Sequence, residues 1–208
     1  MIMASSEPDF LLEHQDYFSW IGLKFGQDPI FIDSPLRILA RPYGSGIWTA
    51  TCICRKDAIQ RMRGFDERMR IVEDIRLWFR LAFEGEFAIT TKPLAIRGGN
   101  ETGEQLTQLK SFSYWKESAK LRLEVFLECY ARSVDRPPDI QRMLRRFVSL
   151  CFVDQAEVYA LEGKYALARR KALEALAFSP KWKTACKAFI GLIFPSAFRI
   201  ANRKYINP

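Results

Sequence analysis

The feature that most constrains this chain is a change of pattern near Leu106. Beyond it, apolar residues recur at helical spacing through three long stretches, 107–132, 138–162 and 164–178. Pro137-Pro138 marks a helix boundary between the first two. A residue before proline is driven out of the α region, while proline itself suits a first helical turn. Before Leu106 the chain has another character. Short β-like pieces, "IFI", "LRILA" and "GIWTATCIC", lie between residues 30 and 55 and are broken by Pro and Gly. The boundary is therefore expected between 105 and 115. Residues 1–110 should form an α/β unit and residues 111–208 an all-α extension.

The 208 residues suit one ordinary domain with an appendage, or two small domains. Hydrophobic residues make up 49% and charged residues 27%, enough apolar content to build a core and to exclude a disordered chain. Cysteines number five, an odd count at scattered positions, and there is a single His, so no zinc site is convincing. Reduced thiols in a cytosolic protein fit that usage. No basic start followed by an apolar core opens the sequence as a signal peptide would. The apolar run "AFIGLIF" (188–194) stops at Pro195 and is too short to span a bilayer.

Within the first half, residues 8–20 read as a helix with Pro8 near its first turn. Alternation over 47–53 suits a strand, and "RKDAIQRM" (55–62) a short helical turn that Gly64 can end in a left-handed conformation. "IVEDIRLWFRLAFEGE" (71–86) is a helix, since Ile71, Ile75, Trp78, Phe79 and Ala82 repeat at its spacing. A strand is expected over 86–96 and a polar, Gly-rich loop over 97–105.

The helix of 71–86 begins with two adjacent carboxylates, Glu73 and Asp74. Acidic residues in a first turn complement the partial positive charge of the exposed N–H groups, and that alone explains many such pairs. Their surroundings add a second reading. Gly64-Phe65-Asp66-Glu67 stands a few residues upstream, and Leu77-Trp78-Phe79-Arg80-Leu81-Ala82 follows. A strand, then Arg97 and a loop, are expected next. Over roughly residues 8–105 this order resembles the C-terminal half of the catalytic domain of family 2 glycosyltransferases, the inverting, nucleotide-sugar-dependent type.

The resemblance implies a partial GT-A-like mixed sheet with flanking helices, lacking the nucleotide-binding half. It implies transfer of a sugar from a nucleotide sugar to a glycan or lipid-linked acceptor. Direct displacement of a nucleotide needs a base to take the acceptor hydroxyl's proton. That role carries over onto Asp74, with Glu73 shaping the acceptor site and Asp66 and Glu67 on the acceptor side. The alternative for Asp66 is hydrogen bonding within a turn. Trp78 could stack on a sugar ring, or at its helical spacing be core. Arg76 and Arg80 are expected to be solvated or paired with Glu73 and nearby acids.

Two departures from the family pattern matter. The family holds a divalent ion, Mg or Mn, through an Asp-x-Asp element, because the departing diphosphate must be neutralised. This chain has no such triplet. Its acid-x-acid sequences are Glu7-Pro8-Asp9, which falls in what looks like the helix after the metal motif, and Glu84-Gly85-Glu86. Family members also often place a His two residues after the Arg that ends the last strand, and here Gly99 stands there. The only His, His14, lies far from it. The expectation is a truncated enzyme or one completed by a partner chain, inactive alone.

In the second half, Phe152, Ala156, Tyr159, Gly163, Tyr165, Ala168, Ala172, Ala175 and Pro180 fall on the spacing of one tetratricopeptide-like helix pair. One repeat cannot build a solenoid. A non-catalytic, protein-binding helical module is thus the competing function. The net charge of +8 is concentrated at the end. From Lys181 onward there are six basic residues and no Asp or Glu. Mixed with Trp182, Phe189, Ile190 and Phe194, the segment 181–205 has the composition of a helix lying in an anionic membrane interface, or of a terminal helix docked on its own domain. A nucleic-acid partner is not expected, since none of the usual binding motifs occurs.

Overall fold

The computed structural model describes residues 29–32, 34–39, 47, 49, 52–90, 111–178 and 182–196. The chain divides into two compact units, Met1–Gly103 and Glu104–Pro208.

In the first unit, β1 (Ile30–Ile32) pairs antiparallel with β2 (Phe87–Ile89), with Ile30 opposite Ile89 and Ile32 opposite Phe87. Alternation sets its faces: Ile30 and Ile32 are buried and Phe31 is exposed. Three helices accompany the pair: α1 (Pro35–Ile38), α2 (Lys56–Arg61) and α3 (Glu73–Glu84). The apolar stripe of α3 buries Leu77, Trp78, Phe79, Leu81, Ala82 and Phe83. Helix α1 packs on it, and Leu36 and Leu39 are buried. A fully buried side chain of this size stabilises by about 1.5–3 kcal/mol, so α3 is the centre of this core.

The mixed α/β sheet expected from the sequence is not what the described residues form. About 70% of them are helical, and their only sheet is the β1–β2 pair. The reasons are local. In "LRILA", Pro35 at a first helical position follows Ser34, and Arg37 N donates to Ser34 O at 3.0 Å, so the segment turns into α1. In "GIWTATCIC", Thr49 is in a 3₁₀ turn and Cys52 N donates to its carbonyl, a local bond in place of a ladder bond. Of the strand expected over 86–96, Phe87–Ile89 is a strand, and 91–96 lie outside the described residues. The helix of 8–20, the loop of 97–105, His14, Arg97 and Gly99 lie outside the described residues.

The second unit follows the helical periodicity closely. It holds α4 (Phe112–Ala131), α5 (Pro138–Leu161), α6 (Tyr165–Phe178) and α7 (Trp182–Ile193). Ser111 caps α4 by accepting from Tyr114 N, and Pro138 occupies the first turn of α5 with Asp139 beside it. Helix α5 packs against α4, α6 and α7. Ala168, Ala172 and Ala175 are fully buried, and these small residues let α6 approach α5 closely. Ser149 Oγ donates to Ala175 O at 2.8 Å inside that contact. Gly163, at φ +75°, ends α5, and Lys164 N reaches back to Tyr159 O at 2.8 Å. The helix pair read from the tetratricopeptide-like spacing is therefore α5–α6.

Candidate active site

The candidate site lies where the segment after α2 leads into α3. Helix α2 ends in two successive left-handed residues, Arg63 at φ 62° and Gly64 at φ 66°, and Gly64 N closes the turn onto Ile59 O at 2.9 Å. The sequence pointed to Gly64; Arg63 shares the conformation. The chain then reverses over Asp66–Met69, with Met69 N bonded to Asp66 O.

Asp66 is tied at both carboxylate oxygens. Arg68 donates from its backbone N and its Nε to Oδ1 and from Nη2 to Oδ2, the latter at 2.8 Å. Arg76, one turn into α3, donates from Nη1 to Oδ2 at 2.6 Å. The Arg68 hydrogen bonds and then the charge of Arg76 outweigh burial and hold the carboxyl well below the usual carboxylate range. Asp66 thus makes the hydrogen bonding within a turn that was its alternative expectation, and it also links that turn to α3.

Asp74 stands differently. It is half-buried in the first turn of α3, and its Oδ1 accepts from Ile75 N at 2.7 Å. Among the described residues no Lys or Arg pairs with it. Glu73 beside it is also half-buried. Both carboxylates sit in the first turn of the helix, where their charge complements the partial positive charge of its exposed N–H groups. Val72, immediately before them, has φ 70° and ψ 0°. A β-branched residue in this left-handed conformation is a genuine outlier, with a cost of about 1–3 kcal/mol, and such strain persists only where surrounding structure enforces it. It sets the direction in which α3 departs.

The remaining candidates are separated by depth. Glu67 is exposed. Trp78 is 3% exposed, so its ring belongs to the core and does not present a stacking face. Phe65 meets it edge to face, with centroids 6.3 Å apart at 83°. The Trp78 Nε1–H is buried and has no hydrogen-bond partner among the described residues. The turn hydrogen bonding of Asp66 was among the expectations, but nothing in a two-residue separation distinguishes the Arg68 side-chain clasp from a solvated charge. The left-handed Val72 has no sequence signal at all.

Among the described residues no three His, Cys, Asp or Glu side chains gather into a metal-sized set. No family model, no curated protein and no solved structure matches the chain.

Proposed function

We propose that this chain contributes the acceptor side of an inverting, nucleotide-sugar-dependent sugar transferase, with Asp74 as general base. What supports the reading is the contrast between two carboxylates in one short segment. Asp66 is consumed by Arg68 and Arg76, whereas Asp74 is fixed through one oxygen only. With Oδ1 held by the Ile75 N–H, Oδ2 remains to accept a proton. In the proposed reaction the acceptor oxygen forms a bond to the anomeric carbon as the bond from that carbon to the nucleotide diphosphate breaks. The acceptor's proton passes to Asp74. Glu73 orients the acceptor's other hydroxyls. Asp66, through Arg76, keeps the start of α3 in register, and Phe65 on Trp78 supports it from within. A divalent ion would neutralise the departing diphosphate, with a partner chain supplying its ligands. The reading includes a cytoplasmic location at the inner face of a membrane. The odd, scattered cysteines support a reducing compartment.

The α5–α6 hairpin favours a second reading, a non-catalytic helical module that binds protein. The two separate in one experiment. The native assembly, captured from its own cells, is supplied with a panel of nucleotide sugars and Mg or Mn, and nucleotide release is measured. Release by the assembly, its loss with Asp74→Asn, and none from the isolated 208-residue chain are expected. Equal release by wild type and Asp74→Asn would overturn the role of Asp74, and turnover by the chain alone would remove the need for a partner.

A further inference from the structure

Helix α7 carries an exposed apolar stripe. Phe189, Ile190, Ile193 and Phe194 are 53%, 48%, 43% and 62% exposed. Their spacing of one, three and four residues places them on one face, in line with exposed Cys186 one turn earlier. The opposite face is small and inward: Ala188 is fully buried, and Gly191 is buried. The helix is therefore not turned outward by accident of composition. Its small side packs on the unit and its large side faces solvent, the reverse of what burial of apolar surface would select in an isolated globule.

Charge indicates what covers that stripe. Residues 181–208 contain six Lys and Arg and no Asp or Glu. Lys187 is spoken for by an ion pair with Glu157. The other five flank the stripe in sequence, two before it and three after it. Apolar side chains bounded by cations match a surface that is negative on the outside and hydrocarbon a few ångströms deeper. As described, α7 is too short to span a bilayer. Twelve residues of helix extend roughly 18 Å, against about 30 Å of bilayer hydrocarbon. Among the described residues no helix is long and apolar enough to cross a membrane.

We infer that α7 is a membrane-surface anchor that lays Phe189, Ile190, Ile193 and Phe194 into the interface of an anionic bilayer. It stands on α7 and its flanks alone, so its failure would remove the membrane location from the proposed reading and leave the sugar-transfer chemistry assigned to Asp74 as it was.

The test uses the full chain, with Cys186 labelled by an environment-sensitive fluorophore, and vesicles of phosphatidylcholine with or without roughly one-third phosphatidylserine. Expected are co-sedimentation with the anionic vesicles and a blue shift of the label. Binding should fall at least tenfold with pure phosphatidylcholine. It should fall as much in Phe189→Glu/Phe194→Glu, whose changed side chains are exposed in the native fold and whose circular dichroism should be unchanged. A second variant, Arg199→Gln/Arg203→Gln/Lys204→Gln, leaves the stripe intact and should lose the preference for anionic lipid. Absence of binding to anionic vesicles at low salt overturns the inference. So does a blue shift that needs no vesicles and tracks self-association in sedimentation, which would make the stripe a contact between copies of the chain.

Discussion

Arg76 places its Nη1 2.6 Å from Oδ2 of Asp66, ten residues earlier in the chain. Arg76 is 19% exposed and Asp66 10%, whereas Arg68, on the same carboxylate, is 82% exposed. Exposure ranks the two arginines. A charge-assisted bond in a part-buried setting contributes about 1.5–3 kcal/mol, and an exposed ion pair about 0–1 kcal/mol. Arg76→Ala should therefore lower unfolding stability by about 2 kcal/mol and Arg68→Ala by less than about 1 kcal/mol, measured by urea denaturation. Equal losses would mean that the turn holds the carboxylate as firmly as the helix does, and that exposure does not rank the two arginines.

The same carboxylate makes stability depend on acid. Asp66 is held below its ordinary range chiefly by Arg68, and Glu162 is lowered chiefly by its bond to Lys116 and then by Lys164. A carboxyl depressed in the folded state adds stability above its unfolded value of about 4, and that stability is lost as pH falls below it. The urea midpoint should change little between pH 7 and about 5 and fall below about pH 4. Asp66→Asn should flatten that fall. Parallel acid limbs in wild type and variant would show that Asp66 does not contribute to it.

The long helices were legible because each carried both a period and a stop. Pro137-Pro138 and Gly163 stand where α5 begins and ends, and Ala168, Ala172 and Ala175 mark the face of α6 that meets it. The first unit was less legible because its β-like segments are short and their fate is local. Pro35 sends "LRILA" into α1, and a bond from Cys52 N to Thr49 O takes a group that a ladder would need. At the candidate site the sequence assigned Asp74 the role of a base and left Asp66 between the acceptor side and a turn, with no partner legible for either. What separates them is Arg76, brought back onto Asp66 by the turn of 66–69, a relation of three-dimensional distance and not of spacing.

Helix α5 also buries charge. Asp154 and Arg122 of α4 form an ion pair at 3.5 Å, with side chains 7% and 10% exposed. Removing one member of such a pair leaves the charge of the other less compensated, at about 3–5 kcal/mol, while replacing both by apolar groups of similar volume is often neutral. Asp154→Ala should destabilise the chain by about 3 kcal/mol, and Arg122→Met/Asp154→Leu should recover most of it, by urea denaturation. Cys151, one turn before Asp154, reports the same environment: burial and then the Asp154 carboxylate push its thiol up, against the pull of Arg122. It should resist alkylation in the native protein, while exposed Cys186 reacts.

Val72 sets two opposing effects against each other. Its side chain is 9% exposed, so truncation removes apolar burial, yet its left-handed backbone favours glycine. Val72→Ala loses the burial and keeps most of the strain, because alanine retains the Cβ that makes the conformation costly. It should destabilise by about 1–2 kcal/mol. Val72→Gly loses the same packing but relieves strain of about 1–3 kcal/mol, and should lie close to wild type. The expected order, Gly above Ala, inverts the preference found within ordinary helices, where Ala is better by about 0.5–1 kcal/mol. Unfolding of the two variants by urea measures it directly. If Ala proves the more stable, the left-handed backbone at Val72 does not carry the strain assigned to it, and the lost packing decides the order.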